Sequence, residues 1–315
     1  MSETQDLPTP DITPEESIAP PTPPSLPQTI PSVRTLRSWL PLYLKKSDRA
    51  IEKLSRILET SSGTDTVLLT VCYTSLLSST LLKSLSIRQL QRAVRQIIEK
   101  AISLPPNTTV VIDTSSIPPS RLLIASERLK AFSEVISDFR IFVRLWGLIG
   151  VWKWGKGVWN NPPKDGLVRS IAYAQVLSIL IYQYLENGAY LATKGVLKWS
   201  KEKENNVWIW SSRFWMAFVG LDLIRLIREY TLKRKRSVAE ETSTDGEKKK
   251  ISTEQEETEW VATWRRELIV NLAWAPLTLH WSLETGLVSD FWVGLFGSVA
   301  GVVGLKRLWE ITSDA

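Results

Sequence analysis

Apolar residues fall along this chain in stripes of helical period and in longer runs, with polar breaks between them. Ser47 to Leu58 (SDRAIEKLSRIL) predicts a helix capped by Ser47 or Asp48. After a break at Ser61-Ser62-Gly63, Asp65 to Leu85 is apolar over much of its circumference, which suits a helix buried in a bundle. From Leu85 to Ile102 the pattern sharpens. Ile87, Leu90, Val94, Ile97, Ile98, Ala101 and Ile102 build one apolar stripe, and Arg88, Arg92, Arg95 and Lys100 lie on or beside the opposite face. Two readings of this stripe stand open: a headgroup-level amphipathic helix, or a bundle helix with a solvated basic face.

Leu104 to Pro119 holds four prolines and reads as a loop, with Thr108–Ile112 (TTVVI) the one β-like stretch. A second helix is expected from about Pro119 to Gly147. Leu129, Phe132, Ile136, Phe139, Val143 and Trp146 alternate there at spacings of three and four, a narrow helical seam. The seam runs into LWGLIGVWKWGKGVW, where Gly147, Gly150, Gly155 and Gly157 argue against a continuous regular helix. Asn160 to Gly166 is a turn.

Four apolar segments follow. Ile171–Leu185 is marginal as a membrane span, and Val207–Ile227, with Arg213, Asp222 and Arg225, reads as an interfacial or bundle helix. Leu268–Leu283 is broken by Pro276. Phe291–Leu305 is the most purely apolar, and its Gly297-Ser-Val-Ala-Gly301 is a GxxxG through which two membrane helices can approach. Between the two pairs, 231–259 is hydrophilic throughout and reads as a disordered linker. Its Lys233–Arg236 cluster places it on the cytosolic side by the positive-inside bias.

Composition narrows the chemistry. One cysteine, Cys72, and one histidine, His280, leave no internal disulfide and remove most metal chemistry. No phosphate loop, dinucleotide fingerprint, HExxH or GxSxG occurs, and a Cys72–His280 dyad has little to recommend it. No catalytic, cofactor or metal site is expected. Net charge is +6, which favours anionic partners. The aromatics sit inside apolar runs, which points to anionic lipid and away from nucleic acid. Fourteen of the fifteen tryptophans lie at or after Trp146, as befits an interface between bilayer and water. The first 31 residues hold nine prolines, five acids and no Lys or Arg, a disordered polyproline-leaning tail without a secretory signal.

The order of these features resembles the peroxin-11 family of peroxisomal membrane proteins, in particular its gamma-like fungal branch. Three stretches carry the likeness: Leu54–Leu77 with its Gly-x-Asp step, Ser126–Gly155 with its Arg-Leu-Trp-Gly-Leu segment, and Tyr182–Ala192 with Leu-Glu-Asn. The C-terminal WRRELIVNLAWAPLTLHWS extends it, while the Pro-rich tail and the charged insert depart from it. The resemblance implies an integral protein of the peroxisomal membrane, its soluble segments mostly cytosolic, that elongates the organelle before fission. It also implies self-association and contact with fission machinery, and it tips Leu85–Ile102 toward the lipid-facing reading.

The expected fold is all-α: a helical membrane protein with amphipathic helices, an antiparallel helical bundle and no sheet of consequence. Its expected parts are a tail (1–32), an amphipathic helical region (33–160), membrane-associated helices (161–230), a charged linker (231–259) and C-terminal membrane helices (260–315). Ile87, Leu90, Val94, Ile97 and Ile98 are the expected insertion face, and Arg88, Arg92, Arg95, Lys153 and Lys156 the headgroup contacts. Trp146, Trp152, Trp154 and Trp159 are the expected interfacial anchors, and Gly297 and Gly301 the expected self-association pair. Two other functions fit the sequence: a membrane channel using Arg213, Asp222, Arg225 and Asp290, and a soluble helical scaffold.

Overall fold

The computed structural model describes residues 33–102, 105, 120–241 and 247–312. The Pro-rich tail and Thr108–Ile112 lie outside these residues, as does the expected loop at 104–119 apart from Pro105. No strand occurs among the described residues, and the fold is all-α. The helices are α1 (Val33–Leu58), α2 (Ser61–Ile102), α3 (Arg121–Val143), α4 (Gly147–Asn160), α5 (Gly166–Thr193), α6 (Lys201–Glu241), α7 (Glu247–Trp281) and α8 (Asp290–Ile311).

The described residues fall into two units that divide between Ala50 and Ile51. In the first, helix begins at Val33, so the expected cap at Ser47 or Asp48 is overrun by a helix already under way. In the second, the break at Ser61 is built by side chains. Thr60 Oγ1 donates to Ile57 O and accepts from Gly63 N, and Thr64 Oγ1 donates to Leu58 O. The hydroxyls satisfy groups that a helix end leaves bare.

Neighbouring helices of the second unit pack antiparallel: α3 on α2, α2 on α8, α8 on α7, α7 on α6, and α6 on α5. Arg144–Glu186 and Lys194–Asp138 tie the end of α3 back to α5 and close the circuit. The α2–α3 seam repeats every seven residues, the period at which a helix face recurs. Asp65 pairs with Arg140, Cys72 with Ser133 and Ser79 with Ser126. At the last pair each hydroxyl donates to the other residue's carbonyl at 2.8 Å. Residues this small allow close backbone approach, and their hydroxyls find partners across the contact.

Burial is mixed: polar side chains are buried beside Leu226 and Leu277, while large apolar ones face outward. Buried positions include Gln175, Gln183, Glu186, Ser211, Asn271 and Thr278, while Trp152, Trp159, Leu177, Ile227 and Leu272 are exposed. By length and composition three helices could cross a membrane: Ser61–Lys100 of α2, Lys201–Lys235 of α6, and α8. Segment Ile171–Leu185 is not one of these. It belongs to α5, which turns Gln175, Ser178, Gln183 and Glu186 inward. Conversely, the stretch read as an interfacial or bundle helix at Val207–Ile227 lies in one of the three.

Other expectations change for local reasons. Pro276 does not break α7, because the neighbouring helices hold its flanks in place. Stretch 231–259, expected as a disordered linker, is helical up to Glu241 and again from Glu247. The four glycines of 147–157 do not interrupt α4, which is regular throughout. The irregularity lies just before it, in a 3-10 turn at Arg144–Trp146.

Candidate functional site

The turn at Arg144–Trp146 has a visible cause. A 3-10 segment frees carbonyls from the α-helical ladder, and freed carbonyls need donors. Helix α5 supplies them: Gln183 Nε2 donates to Arg144 O at 3.0 Å, and Asn187 Nδ2 donates to Leu145 O at 3.0 Å. Between these two, Glu186 accepts from Arg144 Nε and Nη2 at 3.0 and 2.9 Å and from the Tyr182 hydroxyl at 2.7 Å. The Leu-Glu-Asn run is thus a clamp on the preceding helix. Burial works against the charged form of Arg144, but Tyr182 and Glu186 beside it hold its pKa above the ordinary value. Burial likewise pushes the Tyr182 hydroxyl well up, and the Glu186 charge adds to the shift.

On the far side of the clamped segment runs an unbroken apolar stripe. Phe132, Val135, Phe139, Phe142, Trp146, Ile149 and Trp152 follow one another at three- and four-residue steps, and all are exposed. The stripe continues to exposed Lys156 and Trp159. This corrects the expected seam. Ile136 is buried, but Phe132, Phe139, Val143 and Trp146 face outward. Periodicity reveals that a face exists; it does not tell which side of it the bundle takes.

All four expected anchors are exposed, with Trp152 at 70% and Trp159 at 74%, and Lys153 and Lys156 are exposed beside them. Trp154 leans inward enough to meet Phe218 edge-on. In α2, Ile87, Leu90, Val94 and Ile98 are exposed and Ile97 is half-buried. Arg88, Arg92 and Arg95 are exposed as well. This half of α2 therefore offers both its apolar and its basic positions to the surroundings.

Gly297 and Gly301 are placed differently. Both are buried, and they face α2 of the same chain. A Cβ on Gly301 would lie 2.8 Å from Thr70 Cα, and one on Gly297 would meet the Tyr73 ring. The surface expected to meet a second copy is thus occupied by the chain's own helix, because glycine lets α2 and α8 approach closely.

The charges proposed for a channel do not converge. Asp290 pairs with Lys130 at an exposed helix start, and Arg213 donates to Ser282 O. Asp222 and Arg225 bond each other, and Gln175, Asn271, Glu229 and Glu267 complete their network. Cys72 and His280 have separate partners as well. The thiol bonds Ser133, and His280 Nδ1 accepts from Leu287 N and Val288 N. Among the described residues no group of acidic, His or Cys side chains is arranged to hold a metal.

Sequence reasoning missed a cavity inside the circuit of helices, about 590 Å³ in volume. Arg140, Arg144, Asp65 and Glu186 form its polar wall, and Trp215, Trp274 and Trp281 its aromatic one. Its residues come from five helices, so no local motif announces it. The one local signal is the run of polar residues along α5, an otherwise apolar helix.

A family model for peroxisomal biogenesis factor 11 (PEX11) matches residues 123–309, from α3 into α8. An uncharacterized protein of Schizosaccharomyces pombe is 29% identical over 128 residues, which make up 40% of this chain and 53% of that protein. The chain thus spans about half the length of this curated relative. No solved structure matches. The α3–α4 stripe and its clamp lie inside the matched residues, and Leu85–Ile102 precedes them.

Proposed function

The chain belongs to the peroxisomal biogenesis factor 11 family, and from that premise we propose that it elongates the peroxisomal membrane as an integral protein, by wedging amphipathic helices into one leaflet. Its role lies in peroxisome biogenesis and proliferation. The observation that carries the mechanism is the exposed stripe from Phe132 to Trp159, which faces away from the helix core and touches the bundle's rings only where Trp159 meets Tyr173. An apolar stripe enters the headgroup and acyl boundary to a depth of roughly 5–10 Å and expands that leaflet alone. The resulting area mismatch bends the membrane. Lys153 and Lys156 beside this stripe, and Arg88, Arg92 and Arg95 on α2, bring basic charge to the surface, each worth about 1 kcal/mol on anionic lipid. The second wedge is the stripe of Ile87, Leu90, Val94 and Ile98. The buried polar positions, the exposed large apolar ones and the three helices long and apolar enough to span support integral membrane residence. Self-association concentrates the wedges through outward-facing residues, since Gly297 and Gly301 are occupied.

The test is peroxisome morphology in cells expressing the full chain. Wild-type overexpression produces long tubules that resist carbonate extraction. Ile149→Asp/Trp152→Asp/Trp159→Asp and Ile87→Asp/Val94→Asp/Ile98→Asp each remain membrane-bound but give short, round organelles. Tubules of wild-type length with both triple variants would overturn the wedge, and recovery of wild type in the soluble carbonate fraction would overturn integral residence.

A further inference from the structure

We propose that the cavity inside the circuit of helices is a binding site for a single-chain zwitterionic phospholipid of the lysophosphatidylcholine class. The site is bipolar. At one end Arg140 uses Nε and Nη2 on Asp65, and Arg144 uses the same two nitrogens on Glu186. Arg140 is also bonded to the Tyr73 hydroxyl, whereas Arg144 keeps its third nitrogen, Nη1, for a further acceptor, and a guanidinium edge of this kind suits a phosphate oxygen. At the other end Trp215 stacks on Trp281 with centroids 5.5 Å apart and meets Trp274 at 5.1 Å. Two tyrosines join the ends. Tyr182 donates to Glu186 and lies against Trp215, and Tyr73 meets Trp274 edge-on.

Charge selects the class of head. Asp65 and Glu186 balance Arg140 and Arg144, so the polar end is neutral before a ligand arrives. A net anion or cation would leave unbalanced charge beside the buried Arg140 and Glu186, whereas a zwitterion adds none. Its phosphate meets the free edge of Arg144, and its quaternary ammonium has carboxylates and electron-rich tyrosine faces within the same wall. The aromatic end selects the tail, because the three indoles offer apolar faces to a hydrocarbon chain. A volume of about 590 Å³ lies in the range of small-molecule sites and suits one hydrocarbon chain. The cavity lies inside the circuit, away from the outward stripes, so the site stands or falls independently of membrane bending.

The experiment is native mass spectrometry of the full chain in dodecyl maltoside micelles, titrated with lysophosphatidylcholine, lysophosphatidic acid, a fatty acid or free phosphocholine. The expected result is one lysophosphatidylcholine per chain, held at least about tenfold more tightly than any of the other three. Trp215→Leu weakens it by about the same factor, as does Asp65→Asn/Arg140→Gln, which removes both charges together. Ile149→Asp/Trp152→Asp on the outer stripe leaves it unchanged. Equal or tighter binding of lysophosphatidic acid or the fatty acid overturns the zwitterion argument, and equal binding of free phosphocholine overturns the lipid. An outer-stripe variant that loses the adduct moves the lipid to the surface and overturns the cavity. The ligand series on the wild-type chain decides the matter even where a cavity variant fails to fold.

Discussion

Replacing Glu186 by glutamine tests the clamp at its centre. The Glu186 side chain is 5% exposed and accepts from Arg144 twice, from Tyr182 and from Gln183. Glutamine keeps the volume and one acceptor, but its amide turns donors toward the Arg144 guanidinium. Breaking a buried pair by removing one partner costs about 3–5 kcal/mol. Arg144 is 30% exposed and recovers some hydration, so the lower end applies, about 3 kcal/mol. For a chain of this size each kcal/mol moves the melting temperature by roughly 2 °C, so a fall of about 6 °C follows. Intrinsic tryptophan fluorescence during a thermal ramp in detergent reads it directly. Arg144→Gln/Glu186→Gln removes both charges and recovers most of the loss, with a coupling of at least about 1.5 kcal/mol in the double-mutant cycle. A fall of less than about 2 °C in the single variant would refute the reasoning, as would a double variant no better than the sum of the singles.

Other expected outcomes follow from the same geometry. Gly301→Leu drives a side chain into Thr70 and Leu69 of α2 and lowers stability by about 1–3 kcal/mol, measured as a lower melting temperature. If Gly301 mediated only self-association, cross-linking would change and the melting temperature would not. Ile149→Ser/Trp152→Ser changes stability by less than about 0.5 kcal/mol, because both residues are exposed, yet removes tubulation of anionic proteoliposomes that hold the chain, as seen by electron microscopy. Asp165, bonded by Arg228 and capping α5 through Val168 N, has its pKa lowered to about 2. A depressed folded value stabilises the fold above the ordinary carboxylate pKa, and that stabilisation is lost as pH falls from about 4 to 2. Asp165→Asn removes this part of the acid transition, visible as a shallower dependence of melting temperature on pH across that window.

Much of this architecture could be read from residue order, and the reason is physical. A periodic apolar stripe, a helix-compatible composition and turn chemistry at Asn160–Gly166 are local properties, which neighbouring residues impose on one another. The all-α class, the exposure of Ile87, Val94, Trp152 and Trp159, and the family likeness rest on them. Local pattern also misled where a neighbour intervenes. Four glycines argued against helix at 147–157, yet the irregularity settled three residues earlier, where Gln183 and Asn187 from α5 receive the freed carbonyls.

What only the tertiary structure decided is which way each face points. The seam of Phe132, Phe139 and Trp146 has the same period whether it is packed or bare, and it is bare because Ser126, Ser133 and Arg140 take the contact with α2. The GxxxG at Gly297 has the same form whether it meets another chain or its own, and α2 reaches it first. The cavity needs Asp65, Arg140, Glu186 and Trp215 from four helices, far apart in the chain. Periodicity belongs to a single helix and is written in its sequence; the choice of partner for each face is a competition among all the helices, settled only when they pack together.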